Sequence, residues 1–166
     1  MAEITLLLGG ARSGKSARAL ALAAPPRTFV ATAAAAADDA EMVERIARHR
    51  AERGADWALV EAPLDLVGAI RAASGRTLVI DCLTLWLSNL MAAGRDETVE
   101  AAALVAVLGA ASAPVILVSN EVGMGLVPME PLSRRFRDAQ GRLNQRVAAA
   151  ADRVEFIAAG LPLRLK

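Results

Sequence analysis

The stretch Ile4-Thr5-Leu6-Leu7-Leu8-Gly9-Gly10-Ala11-Arg12-Ser13-Gly14-Lys15-Ser16 decides how the rest of the chain is read. It opens on a short apolar run, Ile4 to Leu8, which suits a buried strand bounded by a glycine. A complete G-x-x-x-x-G-K-[ST] pattern follows from Gly9 to Ser16. Glycines let backbone N–H groups converge on a phosphate chain, and a helix starting at the end of the turn adds the positive end of its dipole. Lys15 supplies a cation for the outer phosphates, and the Ser16 hydroxyl supplies an oxygen for Mg²⁺. The stretch therefore predicts a strand, a phosphate turn and a helix, with ATP or GTP as ligand. Gly9, Gly10, Ala11, Arg12, Ser13, Gly14, Lys15 and Ser16 are the candidate nucleotide contacts, and Lys15 is also a candidate catalytic cation.

Outward from this turn, short apolar runs alternate with longer amphipathic ones, which predicts a parallel α/β sheet. Thr28 to Thr32, Trp57 to Glu61, Thr77 to Ile80 and Val115 to Ser119 read as strands, the last two central. Helices are expected over Lys15 to Ala24, Asp38 or Asp39 to about Gly54, Leu64 to Ala73, the stretch after Asp81 to Ala93, and Glu97 to Ala111. Leu132, Phe136, Ala139, Leu143 and Val147 recur every three or four residues and form one apolar helical stripe. Val154 to Ile157 and Leu163 to Leu165 read as closing strands. Neither an internal repeat nor a dividing linker is visible. The expectation is a single P-loop catalytic domain over residues 1–166, a three-layer α/β/α fold with a mostly parallel central sheet.

Composition narrows the function classes. The 166 residues carry a net charge of +1 and only 3% aromatics, which argues against a nucleic-acid surface or a base-stacking platform. One cysteine, Cys82, cannot form an internal disulfide. No signal-peptide pattern opens the chain, and no run approaches the ~20 apolar residues of a membrane span. A soluble, cytoplasmic enzyme is expected.

An acid at the end of a neighbouring strand completes the Mg²⁺ shell of a P-loop enzyme. Asp81, ending Thr77-Leu78-Val79-Ile80-Asp81, is that candidate, with Ser16 as the second metal ligand. Glu121 stands in a comparable place after Val115 to Ser119; it either orients an acceptor hydroxyl or is a solvated loop acid. His49 is the single histidine. It shares a helical face with Met42, Ile46 and Arg53, which suits a packed core residue, whereas the flanking Arg45, Arg48, Arg50 and Arg53 suit a phosphate beside an imidazole. A second set, Arg135, Arg142 and Arg146, shares one side of a helix and meets phosphate, water or another subunit. Cys82 reads as a small buried residue rather than a nucleophile.

Together these residues resemble a known family. The phosphate turn, Glu41-Met42 with Arg45-Ile46 and His49, Trp57 and Glu61 are similar to the bifunctional adenosylcobinamide kinase / adenosylcobinamide-phosphate guanylyltransferases. So are Cys82-Leu83-Thr84, Ser88-Asn89-Leu90, Ser119-Asn120-Glu121-Val122-Gly123-Met124-Gly125, Val127-Pro128, Arg134 to Asp138 and Gly141 to Arg146. The resemblance covers essentially the whole chain. It implies phosphorylation of adenosylcobinamide by ATP or GTP, then transfer of GMP from GTP to adenosylcobinamide phosphate. It also implies that His49 is the guanylylated residue. By the same resemblance the phosphate turn, Thr32, Ala33, Arg50, Ala51, Glu52, Arg53, Glu61 and Asp81 contact the nucleotide, and the assembly is a trimer with its site near a subunit boundary. Asp81 stands where some relatives have glutamate. A GTP-binding switch is disfavoured because no Asn-Lys-x-Asp segment is present. A P-loop kinase without nucleotidyl transfer stays open from the residues alone.

Overall fold

The computed structural model describes residues 2–33, 57–73 and 75–166. The elements run β1 (Ile4–Gly9), α1 (Lys15–Leu22), β2 (Arg27–Ala31), β3 (Trp57–Glu61), α2 (Leu66–Ala72) and β4 (Thr77–Asp81). They continue α3 (Leu83–Ala92), α4 (Glu97–Gly109), β5 (Val115–Asn120), α5 (Pro131–Ala150), β6 (Arg153–Ala158) and β7 (Leu161–Arg164). Among the described residues the strands form one seven-stranded sheet in the order β3-β2-β4-β5-β1-β6-β7. Every pairing is parallel except the last, β6 with β7. The sheet is mostly parallel and the fold is α/β, as expected.

Strand residues alternate between two apolar layers, which is why the central strands read as unbroken apolar runs. Leu6, Leu78, Ile80, Val115 and Leu117 pack with α2, α3, α4 and α5. Leu7, Val79, Ile116 and Val118 pack on the other face with Ala19 and Ala23 of the α1 region. At one sheet edge the Phe29 and Trp57 rings meet edge to face, their centroids 6.4 Å apart, and the Arg27 guanidinium lies 5.2 Å above Trp57.

Several boundaries differ from the sequence reading for local reasons. Helix α1 ends at Leu22 rather than Ala24, because the chain turns extended at Ala23 ahead of the Pro25-Pro26 pair. Helix α2 begins at Leu66, since Asp65 caps it by accepting from Gly68 N at 2.8 Å. Helix α5 begins at Pro131, and its stripe is buried only at Ala139, Leu143 and Val147; Leu132 is 59% exposed. Pro131, Leu132 and Ser133 at its start are all exposed. The helix expected from Asp38 or Asp39 to Gly54 lies outside the described residues.

One buried charge ties α1 to β6. Glu155 is 2% exposed, and its carboxylate takes two hydrogen bonds from Arg18, at 2.9 and 3.0 Å, and more from Arg153. The Arg18 hydrogen bonds hold its pKa below the usual glutamate value, and Arg153 adds to the effect against the opposing pull of burial. A carboxyl depressed in the folded state adds stability above its unfolded pKa of about 4.3, lost as pH falls through the folded value. Glu155→Gln is expected to lower unfolding free energy by about 2 kcal/mol at pH 7, reduced from the fully buried case because both arginines are part exposed. Urea unfolding at pH 7 and again below pH 4 checks this: the gap between variant and wild type should shrink in acid.

Candidate active site

The phosphate turn is closed by contacts that admit only glycine at two places. Gly9 has φ +155°, and a Cβ there would sit 2.4 Å from the Ile157 carbonyl oxygen of β6. Gly14 has φ +101°, and its Cβ would lie 3.1 Å from Gly160 Cα. Gly160 N also donates to Ser13 O at 2.8 Å, so the β6–β7 turn braces the loop from the side. Lys15 is only 6% exposed; its ammonium donates to Gly10 O at 2.5 Å and approaches Ser13 Oγ at 3.4 Å. Burial lowers its pKa from the ordinary lysine value, and the Asp81 carboxylate opposes that shift.

Ser16 Oγ donates to Asp81 Oδ2 at 2.6 Å, across 65 residues of sequence. Strand β4 is not the direct neighbour of β1, since β5 lies between them, so the start of α1 reaches over β5 to meet Asp81. Among the described residues no group of three or more His, Cys, Asp or Glu side chains could hold a metal ion by itself. A hydroxyl and a single carboxylate fit Mg²⁺, which keeps waters and takes substrate phosphate oxygens for the rest of its shell.

Thr32 stands just past the end of β2, beside the residue that follows Asp81. It is fully buried, and its Oγ1 both donates to Cys82 O and accepts from Cys82 N, each at 2.7 Å. The hydroxyl's one donor is thereby spent on the Cys82 carbonyl. It locks the end of β2 to the residue after Asp81. Ala33 follows, half-buried, and Glu61 ends the edge strand β3, exposed. His49, Arg50, Ala51, Glu52 and Arg53, with Arg45 and Arg48, lie outside the described residues. Cys82 is buried at the start of α3, and burial together with the Asp81 charge pushes its thiol pKa up, as suits an inert packing residue. Of the second arginine set, Arg135 pairs with Glu97 at 3.1 Å and Arg146 donates to Thr98 O at 3.1 Å. These bind α5 to the start of α4.

Sequence reading missed the side chains that brace the rim of the site. Asn89 Nδ2 donates to Thr32 O at 2.8 Å and to Pro63 O at 3.0 Å, and Trp86 Nε1 donates to Leu64 O at 3.0 Å. Helix α3 thereby fixes the chain just past β2 and β3. Gln140 and Asn144, both buried, form a cluster with Ser119 beneath the end of β5. A signal was present: two amides spaced four apart beside the buried stripe of α5 are costly unless hydrogen-bonded.

Comparison with known proteins identifies the family. A family model described as cobinamide kinase / cobinamide phosphate guanyltransferase matches residues 5–165. The bifunctional adenosylcobalamin biosynthesis protein CobP of Pseudomonas aeruginosa is 49% identical over 166 residues, with 97% of this chain and 96% of CobP covered. The bifunctional adenosylcobalamin biosynthesis protein CobU of Salmonella typhimurium is 38% identical over 180 residues, with 97% and 98% covered. Among solved structures, flagellar accessory protein FlaH from Methanocaldococcus jannaschii superposes with a TM-score of 0.53 at 10% identity, over 99% of this chain and 78% of FlaH. That likeness concerns the fold alone. The chain is a member of the cobinamide kinase / cobinamide phosphate guanyltransferase family.

Proposed function

We propose that one site built on Gly9 to Ser16 serves two successive transfers in cobalamin biosynthesis, within a single catalytic domain spanning residues 1–166. In the first, the turn holds the phosphates of ATP or GTP through its backbone N–H groups. The hydroxyl of the adenosylcobinamide aminopropanol arm attacks the γ-phosphorus, its proton leaves, and the nucleoside diphosphate departs. Lys15 offsets charge on the transferring group. Ser16 and Asp81 would hold Mg²⁺, which neutralises phosphate charge when bound.

In the second transfer a nitrogen of neutral His49 attacks the α-phosphorus of GTP. The N–P bond forms, the α–β phosphoanhydride breaks and pyrophosphate leaves. A phosphate oxygen of adenosylcobinamide phosphate then attacks the same phosphorus, the N–P bond breaks, and adenosylcobinamide-GDP results. The covalent route divides one difficult exchange into two easier ones, and an imidazole of unperturbed pKa ~6.5 is largely unprotonated at neutral pH. Arg50, Ala51, Glu52, Arg53, Ala33 and Glu61 are proposed to complete the nucleotide contacts, with Thr32 acting through Cys82. A cytoplasmic homotrimer with its site near a subunit boundary accompanies this reading, on the family resemblance alone.

The observation that supports it most is the Ser16–Asp81 contact at the mouth of a glycine turn whose geometry excludes side chains. Incubating the protein with adenosylcobinamide, Mg²⁺, ATP and GTP and weighing the products by mass spectrometry tests it. Both adenosylcobinamide phosphate and its GDP conjugate are expected. Phosphate product alone, with GTP intact, removes the second transfer.

A further inference from the structure

The loop between β5 and α5 is fixed at both ends yet carries its large apolar side chains in the open. Leu126 is 97% exposed, Met129 94%, Met124 80% and Val127 65%. Its root is Asn120, the register partner of Gly9. Asn120 N donates to Thr84 Oγ1 at 2.8 Å, and Asn120 O accepts from Asn144 Nδ2 at 3.1 Å. Asn144 Oδ1 in turn accepts from Ser119 Oγ at 2.6 Å and from the fully buried Gln140 at 3.0 Å. The next residue, Glu121, donates its N–H to Gly9 O at 3.0 Å. At the far end Arg134 donates to Pro128 O and Met129 O, and the Glu130 carboxylate caps α5 at Leu132 and Ser133.

Exposed apolar clusters of this kind mark binding surfaces. A buried polar anchor beneath an apolar helix is a costly way to hold a loop that serves only as a connection. Position identifies the occupant. Helix α5 ends beside the start of β1, where Asp152 N donates to Ile4 O, so its first turn and this loop stand at the opposite, carboxyl edge of the sheet. The root of the loop, Asn120 and Glu121, therefore abuts the phosphate turn at Gly9, where the acceptor must present its hydroxyl.

We infer that residues 122–129 form the platform for the corrin macrocycle of the acceptor. Met124, Leu126, Val127 and Met129 meet its apolar face, while its hydroxyl- or phosphate-bearing arm reaches Gly9 to Ser16. Methionine suits this task because an unbranched thioether adapts to an irregular surface. The inference rests on the proposed function above.

Its test is equilibrium dialysis of cobinamide, read by corrin absorbance, against wild type, Met124→Ser/Leu126→Ser and Met129→Ser. Cobinamide affinity should fall about tenfold or more in the double variant, since two large apolar contacts are removed. ATP and GTP affinity, thermal midpoint and subunit number should stay at wild-type values. Unchanged cobinamide affinity in variants, with a wild type that binds, overturns the platform alone. A change in subunit number overturns it in favour of a contact between copies of the chain. A wild type that binds no cobinamide overturns the functional reading itself, and the platform with it.

Discussion

Lys15→Ala is expected to lower both phosphorylation and guanylyl transfer by about 10³-fold or more, the scale on which removing a preorganised charge partner acts. In the structure the ammonium is buried and folded onto its own turn, donating to Gly10 O. A triphosphate offers much stronger acceptors, so Lys15 is poised to exchange that carbonyl for phosphate oxygens. The fold should survive the change, because the variant removes a charge whose burial already lowers its pKa. Rates of both half-reactions, set beside the thermal midpoint, decide the matter. A wild-type rate for either transfer would show that the two do not share one triphosphate site.

His49→Ala divides the two transfers instead. Guanylyl transfer should fall by about 10³-fold or more, since the attacking nitrogen is gone, while phosphorylation should persist within about tenfold of wild type. Assaying GMP transfer with preformed adenosylcobinamide phosphate, separately from phosphorylation with ATP, keeps the two rates apart. Equal loss of both activities in a folded variant would mean that the histidine holds the common site together rather than carrying GMP.

What the sequence made legible was whatever is coded locally. The run Ile4 to Leu8, the glycines of the turn and the Thr77 to Asp81 strand announce themselves within a few residues, because side-chain period and glycine placement are short-range properties. The Ser16–Asp81 contact was anticipated from the mechanics of P-loop enzymes, although the intervening strand β5 was not. What escaped was coded by topology. Thr32 meets Cys82 across 50 residues and Asn89 meets Thr32 across 57, so neither spacing nor periodicity points to them. The resemblance implied a nucleotide contact for Thr32, and the structure adds that its hydroxyl braces the strand end beside Asp81. Leu132 fits the helical stripe by spacing yet is exposed, as are Pro131 and Ser133 beside it, so the stripe is buried only from Ala139 onward.

The same separation explains the division of labour proposed for the site. The residues proposed to approach phosphate sit on the turn and at strand ends, while Thr32, Thr84, Asn89 and Asn144 hydrogen-bond to main-chain groups around them. Main-chain groups so held cannot drift, and a site of fixed dipoles loses little to reorganisation during transfer.

The most direct measurement is to expose the wild-type protein to GTP labelled at the α-phosphorus, quench in base, and map the label by peptide mass spectrometry. A single GMP adduct on His49 is predicted, stable in base, lost in acid, and discharged by adenosylcobinamide phosphate with formation of the GDP conjugate. Label on any other residue, or guanylyl transfer proceeding at full rate with no labelled protein at all, would contradict it.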